Sequence, residues 1–199
     1  VKANTGNLIE GMEIKGTLGK LYAKADRIDL GKEIARLNKI DLSDTAITLL
    51  MNDTTTNKDT TSTAVNWKLM LDQIDLDRVA FAMQIPGDSL RLSTYIDKAG
   101  LTDGIVDLGS ARYSASQFLL SGSSLSYDGS YSDPAPGFDP AHIALNDVNI
   151  RIDSLLYGGR DISARIKKFS ANDRSGLTLS SLTGDISSDS TTIQVPGLL

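Results

Sequence analysis

The sequence predicts an all-β protein, a mostly antiparallel repeat sheet that contains little helix. Apolar and polar residues alternate in short runs, which is the period of strands with one buried face. Turn-forming residues separate the runs at intervals of about eight to twelve residues, as in "YDGS", "YGGRD" and "NDRSG". One phrase also recurs along the chain, which indicates a repeat architecture.

The recurring phrase is "KIDLSDTAITLL" at 39–50 and "QIDLDRVAFAMQ" at 73–84, and the two copies align without a gap at an offset of 34 residues (74 minus 40). A third copy, "LNDVNIRIDSLLY" at 145–157, aligns with a two-residue insertion. This alignment places Val148 and Ile150 at the positions of Ile74 and Leu76. Repetition of this kind predicts units that cannot close their own core and must stack on their neighbours.

Two polar segments divide the chain into three β-repeat blocks of one continuous sheet. The first block covers 1–51 and is followed by a Thr-rich loop at 52–64. The second block covers 65–129 and is followed by a loop at 130–141 that holds three of the five prolines. The third block covers 142–199. Because the chain begins with Val1 instead of Met, we expect a fragment of a longer protein.

Two short stretches have some helical character. "GKEIARLN" at 31–38 predicts a strand or a single turn between two strands, because it is too short for an independent helix. "STYIDKAG" at 93–100 begins with serine and ends with glycine, which predicts a short helical turn. Trp67 heads the second block with Leu69 and Leu71 on the same side, and we expect it to pack in the core.

The composition narrows the possible partners. The 199 residues are 40% hydrophobic and 23% charged, which is typical of a folded chain. A net charge of -5 argues against nucleic acid as a partner and against docking on anionic lipid by charge alone. There is no cysteine, which excludes disulfides and thiolate sites. No apolar run approaches the roughly 20 residues that cross a bilayer.

We find no motif for catalysis, a metal or a cofactor, and we expect a protein that is not an enzyme. His142 is the only histidine, so a Ser-His-Asp triad would have to use it. No glycine-elbow serine lies near it, and the expectation is a solvated or capping histidine. No Walker loop or GxGxxG motif is present. The many aspartates lack calcium-loop spacing and predict a solvated strand face instead.

The alternation assigns candidate residues to the apolar face. Two runs place three apolar side chains each on one side of a strand. The candidates for this apolar face are Val79, Phe81, Met83, Val148, Ile150 and Ile152.

Several segments together resemble a known family. "WKLMLDQIDLDRVAF" at 67–81, "LTDGIVDL" at 101–108 and "FLLSGSSLSY" at 118–127 are similar to the AsmA-like superfamily. The segment 138–187, which begins "FDPAHIALNDVNIRID", resembles its TamB-like branch, the translocation and assembly module proteins. The motifs are degenerate β patterns, so the resemblance depends on their order and extent.

The resemblance implies a segment of the periplasm of a Gram-negative bacterium, within a full-length protein anchored in the inner membrane. It implies an elongated sheet that curls into a trough, called a β-taco, in which the six candidates for the apolar face would be lipid-facing. It also implies phospholipid acyl chains as cargo, carried between the inner and outer membranes, or a role in outer-membrane protein assembly with a BamA-like barrel partner. Two alternatives stay open at this point. One is a structural or adhesive β-solenoid of the envelope with a closed core and no cargo, and the other is a β-helix enzyme.

Overall fold

The computed structural model describes residues 2–4, 12–51, 66–158, 161–188 and 193–194. Of these residues 80% are in strands. The one helical element among them is a single 3₁₀ turn at Pro86–Asp88. The prediction of an all-β protein with little helix is confirmed. The Thr-rich loop predicted at 52–64 lies outside the described residues.

The described residues form strands with the following bounds: β1 Lys2–Asn4, β2 Met12–Thr17, β3 Lys20–Asp29, β4 Ile34–Met51, β5 Lys68–Ile85, β6 Leu90–Asp107, β7 Arg112–Asp128, β8 His142–Gly158, β9 Asp161–Asp173, β10 Thr178–Ser188 and β11 Ile193–Gln194.

All eleven strands belong to one sheet, in the order β1-β2-β4-β5-β6-β7-β8-β9-β10-β11, with β3 also paired to β4. The pairs are antiparallel except for β4 and β5, which are parallel. β2 and β3 pair with successive lengths of β4, so together they occupy one edge of that strand. The sheet is not closed, which confirms the mostly antiparallel open architecture.

The parallel pair explains the offset of the repeated phrase. Every register pair between β4 and β5 has the 34-residue spacing seen in the sequence, and Ile40 pairs with Ile74 while Leu42 pairs with Leu76. The two copies are therefore lateral neighbours in register. The same residue types therefore pair across the two strands, which explains why the phrase repeats.

The third copy departs from the sequence alignment in its direction. β6, β7 and β8 follow β5 as antiparallel neighbours, so β8 runs antiparallel to β5. Through these strands Ile150 shares a row with Leu76, as aligned, but Ile152 rather than Val148 shares the row of Ile74. The alignment failed at this point because a period-two pattern reads alike in both directions.

The helical turn predicted at 93–100 is wrong, because these residues lie inside β6. The stretch continues an alternation that begins at Leu90, and Tyr95 pairs with Ala80 on one side and Ser124 on the other. In the segment 31–38, residues 31–33 form a turn between β3 and β4 and residues 34–38 begin β4, which agrees with the prediction of a strand or a single turn between two strands. Trp67 immediately precedes β5 and is half-buried, and its carbonyl accepts the Leu108 N–H.

The long strands bend where a residue adopts a positive φ. At four of these points two consecutive residues turn away from the apolar side, and the next residue is buried. The left-handed residues Asp44, Arg78, Gly122 and Asp147 precede the buried residues Thr45, Val79, Ser123 and Val148. We call this alignment across β4, β5, β7 and β8 the bend line. Local bends of this kind curve a sheet, and their alignment curls it along one line.

Two hydroxyl groups stabilise the bend line. The hydroxyl of Thr45 donates to the Ser43 carbonyl at 3.0 Å and accepts the Gly19 N–H at 3.2 Å. Ser123 repeats the arrangement, donating to the Ser121 carbonyl at 3.1 Å and accepting the Asp97 N–H at 3.2 Å. Both side chains satisfy backbone groups that the bend removes from the regular ladder.

Candidate apolar trough

Two apolar rows cross the middle of the sheet. Residues directly opposite on neighbouring strands lie on the same face and contact each other. The first row joins Leu21, Leu42, Leu76, Ala99, Leu120, Ile150, Phe169 and Leu182. The second row joins Ala23, Ile40, Ile74, Leu101, Phe118, Ile152 and Ile166, and ends at Gly184. We call these the central rows. Eight strands at a spacing of about 4.8 Å give each row a length of about 34 Å.

Further rows extend the apolar face beyond the bend line. Two residues past the buried Val79 lies Phe81, whose row is Ile47, Phe81, Thr94, Leu125 and Leu145. The next row on that side is Ile14, Leu49, Met83, Leu92, Tyr127 and Ile143. The face therefore continues on both sides of the bend.

At the opposite rim the alternation of side chains between the two faces also shifts by one residue. A Cβ placed on Gly104 would lie 2.6 Å from Leu101 Cδ2 and 3.3 Å from Leu71 Cβ, so Leu71 and Leu101 lie on one face. Beyond them the rim carries Tyr113 and Tyr157, whose ring centroids are 5.8 Å apart. Phenols at such a boundary keep an apolar ring toward the trough and a hydroxyl toward water.

The apolar face is open. Among the described residues, the buried apolar side chains are Ala35, Leu71, Val79, Ala115, Val148 and Ala171. The large residues of the central rows are half-buried, with the exception of the exposed edge residue Leu21. The extensive contacts among the described strands are between neighbours in the sheet, so these strands provide no second layer over the rows. A sealed core would instead leave Phe118 and Phe169 almost without accessible surface.

The six sequence candidates occupy two different environments. Phe81, Met83, Ile150 and Ile152 are half-buried members of the rows described above. Val79 and Val148 are 5% and 4% exposed and lie on the bend line, where they support the curvature instead of offering surface.

Sequence reasoning missed several central residues, including Leu101, Phe118, Leu120 and Phe169. Their strands lack the repeated phrase, and only their local alternation could have assigned them. "QFLLSG" shows why this was difficult, since its consecutive apolar residues include Leu119 on the opposite face, where the side chain is 39% exposed.

The opposite face is polar and carries ion pairs between neighbouring strands. Arg78 donates to Asp44 at 2.7 Å, and this hydrogen bond lowers the pKa of the Asp44 carboxyl and raises that of Arg78. Lys39 Nζ lies 3.3 Å from Asp41 and 3.9 Å from Asp75. Exposed pairs of this kind contribute little individually. Together they give this face the solvated character that the aspartates predicted.

A shallow groove of about 330 Å³ crosses five strands near Phe81. Its lining includes the small residues that alternate with the Phe81 row, namely Ala46, Ala80, Ala82, Ser93, Ser124 and Ala144. Residues adjacent along a strand point to opposite faces, so these side chains belong to the polar face. The lining also includes every member of the Phe81 row, namely Ile47, Phe81, Thr94, Leu125 and Leu145, so the groove and this row share the same five strands.

The expectation of a solvated His142 is wrong. His142 is 3% exposed, with Nδ1 at 3.0 Å from Asp128 Oδ1 and Nε2 at 3.4 Å from Ser132 Oγ. The loop between β7 and β8 folds back and closes with a Gly129 N–H to Ala141 carbonyl bond of 2.8 Å. Sequence could not show this burial because it depends on the path of a loop without strand or helix.

Comparison with protein-family models and with curated proteins found no match to this chain. Within the described ranges, no group of three or more His, Asp or Glu side chains could hold a metal ion. The same part of the chain contains no helix that is both long and apolar enough to span a membrane. The family resemblance and what it implies stay predictions.

Proposed function

We propose that this chain is a periplasmic segment of an envelope-biogenesis protein and that its apolar face covers phospholipid acyl chains on their way between the inner and outer membranes. The observation that carries this proposal is the continuity of the central rows across eight strands of an open sheet. An open apolar face of this length is rare on a protein that binds nothing.

The energetics suit a lipid. Each methylene removed from water gains about 0.8 kcal/mol, so an acyl chain of about 15 carbons gains roughly 12 kcal/mol from complete cover. The central rows repeat similar side chains at every strand and offer no buried polar group that would fix one ligand position. A chain bound there can therefore exchange one set of contacts for an equivalent set on the next strand.

The cellular setting of the proposal comes from the TamB-like resemblance. It comprises the periplasm, an inner-membrane anchor elsewhere in the full-length protein and a BamA-like outer-membrane barrel as partner. Assembly of outer-membrane proteins is the second use that the resemblance implies for the same face. The rival β-solenoid with a closed core requires a sheet that seals its apolar side, and the sheet formed by the described strands is open.

The test uses two adjacent leucines on opposite faces. Leu120 lies in a central row between Ala99 and Ile150, whereas Leu119 pairs with Gly100 and Arg151 on the polar face. Each is replaced in turn by the photo-crosslinking residue p-benzoylphenylalanine. The purified variants are then irradiated with vesicles of phosphatidylethanolamine and phosphatidylglycerol, and adducts are measured by mass spectrometry.

We expect phospholipid adducts at Leu120 that exceed those at Leu119 by at least about tenfold. Equal adducts at the two positions would show that contact with lipid is not confined to the apolar face. No adduct at Leu120 in a folded variant would overturn the proposal.

A further inference from the structure

A chain of hydrogen bonds joins four side chains where β7 passes into the following loop. His142 Nδ1 lies 3.0 Å from Asp128 Oδ1, and His142 Nε2 lies 3.4 Å from Ser132 Oγ. Ser132 Oγ is also 2.9 Å from Ser130 Oγ. All four residues lie within a segment of 15 positions, so the folding of a single loop assembles the cluster.

The chemistry of the groups gives the chain a direction. The Asp128 carboxylate only accepts hydrogen bonds, so the imidazole proton belongs on Nδ1. Nε2 then presents its lone pair and accepts from the Ser132 hydroxyl. The Ser132 N–H donates to Ser130 Oγ at 3.1 Å, which leaves the Ser130 hydroxyl proton free to donate to Ser132 Oγ. Every bond in the cluster is satisfied in this arrangement.

The base of the cluster is buried and the nucleophile is exposed. The His142 side chain is 2% exposed, whereas Ser132 is exposed to solvent. A buried imidazole oriented by a carboxylate, with a hydroxyl between it and solvent, is the arrangement that activates serine nucleophiles. The 3.4 Å distance is long for the Ser–His bond, and such bonds are often longer in ligand-free sites.

A positive charge and a small cavity adjoin the cluster. The Arg91 guanidinium lies over the Tyr131 ring at 5.8 Å from its centroid, and Arg91 Nε is 3.9 Å from Asp128. A cavity of about 200 Å³ is lined by Arg91 and Asp128 together with Gln84 and Ser126. Of the cluster, Asp128 alone belongs to this lining, so the cavity and the Arg91 charge lie at the carboxylate end of the hydrogen-bond chain.

We propose that Ser132 is an activated nucleophile that takes up the acyl group of carboxylic esters. His142 Nε2 accepts the Ser132 proton as Oγ bonds to the ester carbonyl carbon, and Asp128 stabilises the imidazolium that forms. The C–O bond of the ester breaks and His142 returns the proton to the departing alcohol. Water then hydrolyses the acyl-serine by the same proton transfers, releasing the acid. This inference is independent of the proposed lipid cover.

The test is covalent labelling of the purified chain by a biotinylated fluorophosphonate, with the modified residue located by peptide mass spectrometry. We expect label on Ser132 and none there in Ser132→Ala. Asp128→Asn and His142→Gln should each lower the labelling rate by about 100-fold, the lower end of general-base contributions. Ser180→Ala, which removes an exposed serine from β10, serves as the control and should label like the parent chain.

Each result decides the matter once circular dichroism shows that the parent chain is folded. Absence of label, or label spread equally over exposed serines, overturns the proposal. Label on Ser132 that a folded Asp128→Asn leaves unchanged also overturns it, because the hydrogen-bond chain would then serve only to hold the loop. If His142→Gln does not fold, Asp128→Asn carries the same test, since its side chain is 27% exposed.

Discussion

A charge at Phe81 distinguishes an open apolar face from a sealed core. Phe81 is half-buried and pairs with Ile47 and Thr94, while the next residue, Ala82, pairs with Thr48 and Ser93 on the polar face. We compare Phe81→Asp with Ala82→Asp, which introduces the same charge one residue away. The two variants differ in the face that receives the carboxylate.

The expected cost of Phe81→Asp follows from the exposure of the ring. Full burial of a phenylalanine side chain contributes about 1.5–3 kcal/mol, so a half-buried ring contributes about 1–2 kcal/mol. The low strand propensity of aspartate adds up to about 1 kcal/mol. On an open face the carboxylate stays hydrated, and the total of about 1–3 kcal/mol leaves a domain of ordinary stability folded.

A sealed core gives a different result. There an uncompensated carboxylate costs several kcal/mol more than the lost packing, which is enough to unfold a domain. The measurement is urea unfolding followed by circular dichroism, together with binding of a fluorescent acyl probe. We expect Phe81→Asp to remain folded and to bind the probe more weakly, with little change in Ala82→Asp. An unfolded Phe81→Asp beside a folded Ala82→Asp would refute the open face.

Four further outcomes follow from particular contacts. Thr45→Val should lower the free energy of unfolding by about 1–3 kcal/mol because it leaves the Gly19 N–H without an acceptor, whereas the exposed Thr48→Val should change it little; urea unfolding measures both. His142→Ala should cost a similar 1–3 kcal/mol by the same measurement, since it removes a buried side chain with two partners, and a change below about 0.5 kcal/mol would contradict the observed burial. Hydrogen bonds from the Ala135 and Ala141 N–H groups lower the pKa of Asp139 from its ordinary 3.8. The ionised Asp139 therefore stabilises the fold above pH 3.8, and this stabilisation disappears as the pH falls through the lower pKa of the folded state. Asp139→Asn should flatten the dependence of the melting temperature on pH below about 4. Lys39→Gln should lower the free energy of unfolding by up to about 1 kcal/mol, because Asp41 and Asp75 then face each other without their shared cation. The loss should be larger at low salt, and equal losses at low and high salt would contradict this reason.

Sequence periodicity predicted the features that depend on neighbouring residues. The alternation around Phe81 and Ile150 identified strands, and the 34-residue offset between the two copies of the phrase equals the register of β4 on β5. Both signals are local or depend on comparison of two segments. Both signals can therefore be recognised without knowledge of the rest of the chain.

The features that sequence did not predict depend on distant residues or on backbone conformation. The left-handed φ at Arg78 turns two polar residues outward together, and in the sequence this resembles an interruption of the strand. The run 93–100 has capping residues at its ends that favour a helical turn, but pairing on both sides holds it in β6. The burial of His142 needs the return of the loop at Gly129 and Ala141, which no periodicity encodes.

The apolar rows extend further across the sheet than the repeated phrase does, and this difference bears on function. The phrase occupies the parallel pair, where Lys39 lies between the facing aspartates and Arg78 pairs with Asp44 on the neighbouring strand. β6, β7 and β9 lack the phrase, yet they continue the first central row with Ala99, Leu120 and Phe169. A requirement for strand pairing alone would accept polar residues at these half-exposed positions, because the ladder hydrogen bonds do not depend on them. The shared property of the strands is therefore the apolar surface itself, which is what cover for an acyl chain along the whole sheet requires.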